Sequence, residues 1–247
     1  MTMMLRKGCY VARFAQSDAD VIAAQRLRHM CFVVGAGRDP LPEGLDRDRF
    51  DADCLHVLVE DAGGRLLACF RLLHLAEAAQ IGRSYAAQYY DLTALQTFPG
   101  PVVEMGRFCV HPDLRDPDVL RVAWGAVTRF VDSAGTGLLF GCSSFAGTQS
   151  EIYADSFAQL RARHLAPARW NPATKARDVV HFSKQSHDPK RALQQMPPLL
   201  RTYLGMGGWV SDHAVVDRAM NTLHVFTGVE IAAIPAARAR ALRAVAG

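Results

Sequence analysis

The sequence predicts an α/β (α+β) fold of three layers, a central mixed β-sheet flanked by helices. Apolar runs of strand length alternate with segments of helical spacing, turn residues separate them, and no repeat or low-complexity tract breaks the pattern. At 247 residues, 50% hydrophobic and 21% charged, the chain is long enough to bury one large core, and residues 1–247 read as one domain.

Tyr10–Phe14 reads as a strand. A helix follows from Asp18 to about Met30, with Asp18 or Asp20 as its cap and Val21, Ala24, Leu27 and Arg28 at helical spacing. Leu55–Glu60 and Arg65–Leu73 flank Asp61-Ala62-Gly63-Gly64 and form a hairpin. Val102–Val110 is a strand, and Pro117 preorganises the first turn of a helix through Val119–Val131. Leu138–Cys142 reads as a short buried strand, Ser150–Arg163 as a helix and Leu223–Val229 as a late strand. Pro172, Pro189, Pro197 and Pro198 make residues 167–198 a loop-rich excursion, and Gly205-Met206-Gly207-Gly208 reads as a turn or close packing. Pro235–Ala246 closes the chain as a helix.

No run of about 18 uncharged apolar residues exists, so no spanning helix is expected. The first fifteen residues lack the apolar core and small-residue site of a signal peptide, and the expected address is the cytoplasm. Six scattered cysteines, Cys9, Cys31, Cys54, Cys69, Cys109 and Cys142, contain no C-x-x-C pair, so neither a disulfide framework nor a metal site is expected. They read as small buried hydrophobes.

The net charge is +4, and 24 of the 28 cations are arginine, the residue suited to planar carboxylate and phosphate recognition. Asp39–Asp61 holds eight acids against Arg47 and Arg49. Ser156–Arg191 holds eight cations against Asp178 and Asp188. Such an asymmetry suits a cationic substrate at one place and an acidic protein partner at another; two solvated faces are the bland alternative. No nucleic-acid partner is expected.

The loop His111–Asp118 contains no glycine and three aspartates, so its amides are ill suited to a pyrophosphate. In Glu104-Met105-Gly106-Arg107-Phe108-Cys109-Val110, alternation sets Glu104, Gly106 and Phe108 on one face and Met105, Arg107 and Cys109 on the other. A carboxylate inside an apolar strand is paired or protonated, which makes Glu104 either a general base or half of an ion pair with an arginine. Gly44–His56 superficially suggests a calcium loop but lacks its sixth-position glycine and closing glutamate. Gly141-Cys142-Ser143-Ser144-Phe145 has only part of a nucleophile-elbow pattern, which leaves a Cys142 thioesterase or acyl-enzyme, with His111 or His164, as a distant alternative.

Five spaced motifs carry a resemblance: Phe70–Leu73, Glu104–Pro112, Leu139–Phe145, Pro197–Leu204 and Gly208–Asp212. Together, within a match from about Tyr10 to Leu242, the sequence resembles the ornithine-acyl carrier protein N-acyltransferases of bacterial ornithine-lipid synthesis. That family is similar in fold to the GNAT acetyltransferases and to acyl-homoserine-lactone synthases. The resemblance implies transfer of a 3-hydroxyacyl chain from acyl carrier protein to the α-amine of ornithine, or of glutamine as in close relatives. No cofactor is expected beyond the acyl-phosphopantetheine that the donor carries.

For the site, the resemblance implies Glu104 as base and Arg28, Asp46, Asp48, Asp51, Arg71 and Arg107 around the amino acid, with Arg71 or Arg107 on its carboxylate and one aspartate on its side-chain ammonium. Backbone N–H groups of Phe108, Cys109 and Val110 are expected at the oxyanion, and Arg161, Arg163 and Arg169 at the carrier protein. A lipid product also suggests transient contact with a membrane surface. Ile231, Ile234, Ala237, Ala241, Leu242 and Val245 recur at helical spacing for this, beside Arg238, Arg240 and Arg243; a helix packed on the domain is the competing expectation.

Overall fold

A computed structural model describes residues 4–247. The first half of the chain contains β1 (Met4–Lys7), β2 (Tyr10–Phe14), α1 (Asp18–His29), β3 (Leu55–Glu60), β4 (Leu66–Leu75), β5 (Tyr90–Asp91), β6 (Val102–Val110) and α2 (Asp118–Ser133). The second contains β7 (Leu138–Ala146), α3 (Ala154–Arg163), β8 (Ala173–Thr174), β9 (Val179–His181), α4 (Pro189–Gln195), α5 (Pro198–Leu204), β10 (Trp209–Val210), β11 (His213–Asp217), β12 (Thr222–Glu230) and α6 (Ala236–Ala246). The described chain divides into two compact units, one comprising residues up to His74 with Met105–Thr136 and Ala236–Gly247, the other Leu75–Glu104 and Gly137–Pro235.

In the first unit, β1, β2, β3 and β4 form an antiparallel meander, pairing Leu5 with Ala12, Ala12 with Val59 and His56 with Arg71. Val119, Val122, Ala123, Ala126 and Phe130 form the buried stripe of α2, at the spacing of one helical face. Phe130 meets Phe14 edge to face, with ring centroids 6.0 Å apart. Ser17, not Asp18 or Asp20, caps α1 by accepting from Asp20 N–H. The Asp20 carboxylate is occupied by Arg13, through two bonds of 2.8 Å. The helix continues into a π turn, Met30–Val34, where a Cβ on Gly35 would lie 2.8 Å from the carbonyl oxygen of Cys31.

The terminal helix α6 packs along α2: a Cβ on Gly125 of α2 would come within 3.1 Å of Val245. Its more buried face is Ala239, Leu242, Val245 and Ala246, whereas Ala237 and Ala241, expected on the apolar stripe, are exposed. Arg243 is held bidentately by Asp132 of α2, at 2.8 and 2.9 Å.

In the second unit, Val102–Glu104 of β6 run parallel to Leu138–Phe140 of β7, and β7 pairs with β12 over nine residues. The strand expected to end at Cys142 therefore reaches Ala146. Ser143 is buried within the longer strand, with its hydroxyl accepting from Thr227 at 2.9 Å, so the ladder satisfies what the side chain needs. The 167–198 excursion is more ordered than its prolines suggest. It supplies β9, which pairs with β11, and α4, which Asp188 caps by accepting from Lys190 and Arg191 N–H. Phe145, Phe157, Leu160, Phe182, Leu200 and Val225 close this unit's core. Gly208 sits in a tight turn, where a Cβ would lie 2.7 Å from the Tyr203 carbonyl oxygen.

Candidate active site

Three arginines and three aspartates converge in the first unit. Helix α1 sets Gln25 and Arg28 on one face, the segment before β3 presents Asp46, Asp48 and Asp51, and β4 and β6 contribute Arg71 and Arg107. Arg28 is buried and bonds Asp46 at 3.2 Å and Asp51 at 2.7 Å. Arg71 grips Asp48 bidentately at 2.6 and 2.7 Å and also reaches Asp51 at 2.6 Å. Arg107 donates to Asp48 at 3.1 Å, and its Nε lies 3.2 Å from an Asp46 oxygen as an ion pair. The ions balance three to three, which is what permits so much charge in a sheltered place.

Burial pushes the carboxyl of Asp51 up, but bonds and charges from Arg28 and Arg71 outweigh it and hold the pKa at about 2. Asp48 is shifted the same way, burial being overcome by Arg71 and Arg107. Of the three aspartates Asp48 is the most open, its side chain 20% exposed against 7% for Asp46 and 10% for Asp51. Arg28, expected to touch substrate, is only 1% exposed and positions Asp46 and Asp51. The calcium-like pattern is accounted for by these pairs.

Regular alternation would put Gly106 and Arg107 on opposite faces of β6. The chain departs from it at Arg107, whose φ is 53°, a left-handed conformation costing a non-glycine residue about 1–3 kcal/mol. Both residues therefore lie beside Arg71. A Cβ on Gly106 would be 3.6 Å from Arg71 Nε, and Arg107 shares Asp48 with Arg71. The following residues are firmly packed: Phe108 stacks on Phe70 at 5.4 Å, Cys109 is buried 3.5 Å from the sulfur of Cys69, and the carbonyl of Val110 accepts from Cys31 at 3.3 Å.

Sequence reasoning missed two members of this cluster. Gln25 donates to Asp51 at 3.0 Å, and His56, opposite Arg71 on the neighbouring strand, lies 3.0 Å from the Asp51 carbonyl oxygen. The signals available were a glutamine three residues before Arg28 on the same helical face and a histidine opening an apolar strand.

Glu104 belongs to the second unit and is buried. Its two oxygens accept from the backbone N–H groups of Tyr85 at 2.8 Å and Ala86 at 2.7 Å. Those amides start a 3₁₀ turn and have no partner within it, so the carboxylate both caps the turn and is oriented by it. The parallel ladder between β6 and β7 ends at the Glu104–Phe140 pair. Cys142 lies in mid-strand opposite Phe226, not at a strand-to-helix elbow, so the geometry expected of an elbow nucleophile is absent there.

Arg161 and Arg163 are exposed on the last turn of α3, and Arg169 is exposed nearby in sequence. Acids from outside the basic stretch reduce its charge: Glu230 lies 3.6 Å from Arg169, and Asp155 pairs with Arg191. Before α2, the loop's carboxylates occupy its own donors, with Asp118 N–H bonded to Asp116 at 2.8 Å. Among the described residues, His181, Asp212 and His213 bring ligand-type atoms within 4.8 Å of one another, and Asp212 lies 2.7 Å from Nδ1 of His213. No helix of the described residues is long and apolar enough to cross a membrane.

Comparison with known proteins gives a consistent result. The acetyltransferase (GNAT) domain family matches residues 27–125. The L-ornithine N(alpha)-acyltransferase of Rhodobacter capsulatus is 36% identical over 227 residues, covering 87% of this chain and 88% of that protein. That of Rhizobium meliloti is 31% identical, covering 90% and 80%. Among solved structures, the CoA-dependent acyl-homoserine lactone synthase MesI shares the fold, with a TM-score of 0.51 at 13% identity and coverage of 93% and 90%.

Proposed function

Because the chain belongs to the L-ornithine N(alpha)-acyltransferase family, we propose that it moves a 3-hydroxyacyl chain from acyl carrier protein to the α-amine of ornithine, giving lyso-ornithine lipid. It is a GNAT-fold N-acyltransferase.

The observation that carries the choice of acceptor is Asp48, an accessible carboxylate held between Arg71 and Arg107. An amino acid with a cationic side chain offers both charges that this arrangement can exchange. Its carboxylate replaces Asp48 on the planar fork of Arg71 or on Arg107, and Asp48, so released, receives the side-chain ammonium. Arg28 holds Asp46 and Asp51 in place while that exchange occurs.

Glu104 takes the proton of the α-ammonium directly or through water, a contribution of roughly 10²–10⁴ in rate for general-base help. The amine then attacks the thioester carbonyl; the C–N bond forms, the C–S bond breaks, and the phosphopantetheine thiol leaves with a proton. Backbone N–H groups of Phe108, Cys109 and Val110, beyond the end of the β6–β7 ladder, stabilise the oxyanion.

Two features favour a carrier protein over coenzyme A. The loop before α2 has no glycine and spends donors on its own aspartates, which disfavours a pyrophosphate. Arg161, Arg163 and Arg169 are exposed and suit an acidic protein.

The test is to incubate the pure protein with 3-hydroxyacyl carrier protein and each amino acid separately, and to identify the product by mass. Acyl-ornithine as the main product supports the reading. Acyl-glutamine as the main product rejects the acceptor, and transfer from acyl-CoA at an equal rate rejects the donor.

A further inference from the structure

Away from the arginines and aspartates, the second unit brings together three side chains of a different chemistry. Strand β9 lies at the edge of the sheet beyond β11, and the two are antiparallel, with His181 directly opposite His213. Side chains paired in this way share a face of the sheet. Asp212, the residue before β11, sets its carboxylate 2.7 Å from Nδ1 of His213. One ligand-type atom from each of the three lies within 4.8 Å of the other two. The acyl-transfer reaction proposed above uses none of them.

Two imidazoles and one carboxylate are the donor set of an open zinc site. The ring centres of His181 and His213 are 5.5 Å apart. With a zinc–nitrogen distance of about 2.0–2.1 Å each ring centre stands about 3.2 Å from the ion, so that separation subtends about 120°, close to tetrahedral. The Asp212 contact, now that of a hydrogen bond, would widen by about 0.6 Å to the ligand spacing of such a site, and the longest separation would close by up to about 1.5 Å. Movable groups absorb both shifts. The side chain of Asp212 is 40% exposed and His181 is exposed, whereas His213 is fully buried and fixed in the sheet.

We propose that His181, Asp212 and His213 bind a divalent first-row transition ion of the zinc type, with water completing the coordination on the exposed side. The ion takes Nδ1 of His213 in place of the proton that this nitrogen shares with Asp212, and the ring keeps its proton on Nε2. Nε2 is buried and has no hydrogen-bond partner among the described residues, so the affinity is that of an exchangeable ion rather than a locked one. Bound there, the ion clips the edge strand β9, only three residues long, to β11 at the end where the chain leaves the sheet.

The experiment titrates zinc chloride into the full chain carrying Cys9→Ser, which removes the exposed thiol as a competing ligand, and follows heat and thermal unfolding in parallel. One zinc per chain with a dissociation constant below about 100 μM is expected, together with a rise in Tm. His181→Ala, at an exposed position, and Asp212→Asn, which keeps the shape of the side chain, should each retain the parent circular dichroism spectrum and weaken binding at least about tenfold. Absence of saturable binding overturns the proposal, and so does binding that either variant leaves unchanged. The readout is independent of the acyl-transfer reaction, so its failure leaves the proposed function untouched.

Discussion

Arg71 donates to both oxygens of Asp48, at 2.6 and 2.7 Å, from a strand position opposite His56. The two parallel bonds need a planar fork, which lysine lacks. Arg71→Lys is therefore expected to raise the KM for the amino acid at least tenfold while changing kcat less, measured by product mass under saturating acyl donor. An unchanged KM removes Arg71 from acceptor binding.

Glu104→Gln keeps the shape of the side chain but not its chemistry. An amide presents one acceptor oxygen and one NH₂, so one of the N–H groups of Tyr85 and Ala86 faces a donor. Turnover should fall at least tenfold. Stability should drop by about 1–3 kcal/mol, the usual effect of losing a hydrogen bond to a charged group. Wild-type turnover in a folded Glu104→Gln protein would show that the carboxylate only caps the turn.

Two acid windows should be separable. His224 is buried, and burial lowers its pKa from 6.5 to about 4, with Asp217 opposing. The unfolded chain thus binds a proton that the folded protein refuses, so stability declines by about 3 kcal/mol as pH falls from about 6.5 to 4. Asp51, depressed from 3.8 to about 2, contributes about 2 kcal/mol above pH 4 that disappears as pH falls through about 2. Denaturant midpoints across pH 7 to 2 should show both declines, and His224→Gln should flatten only the first. A His224→Gln curve parallel to wild type between pH 6.5 and 4 would assign that decline to another group.

Reversing Arg161 and Arg163 to glutamate should slow association with the carrier protein at low salt and flatten its salt dependence, because exposed charges mainly steer encounter. Reversing Arg169 should matter less, since Glu230 already lies 3.6 Å away. Equal association rates at low ionic strength for wild type and the double variant reject this patch as the docking surface.

The terminal helix bears on membrane contact. Removing Arg238–Gly247 strips Val245 from Gly125 and Arg243 from Asp132, so thermal stability should fall whatever happens at a bilayer. A cleaner probe is Arg238→Ser with Arg240→Ser, two exposed arginines without acids on their helix. At about 1 kcal/mol per arginine near an anionic surface, sedimentation with anionic vesicles should weaken by tenfold or more. Unchanged sedimentation leaves α6 a packing role alone.

Much of the fold was legible locally. The bounds of β2 and β6 follow from apolar runs cut by polar residues, and the hairpin of β3 and β4 from Asp61-Ala62-Gly63-Gly64, where Asp61 accepts from Gly63 and Arg65 N–H. Glu104 could be singled out because a carboxylate in an apolar strand is costly unless satisfied, although the donors that satisfy it, Tyr85 and Ala86, carry no side-chain signal. The expected end of β7 at Cys142 fell short because the strand is continued by its ladder to β12, where the buried hydroxyl of Ser143 is answered by Thr227, 84 residues away.

The sequence by itself determined the strands and helices, the acidic and basic stretches and the residue types available for chemistry, since backbone propensity and side-chain periodicity act over a few neighbours. Only the tertiary structure decided which charges meet and which thiols touch. Arg107 finds Asp48 across 59 residues, Cys109 finds Cys69 across 40 and Arg243 finds Asp132 across 111. Those distances are closed by strand register, by the left-handed turn at Arg107 and by the packing of α6 on α2. Each depends on contacts between elements far apart in the chain, which no local pattern encodes.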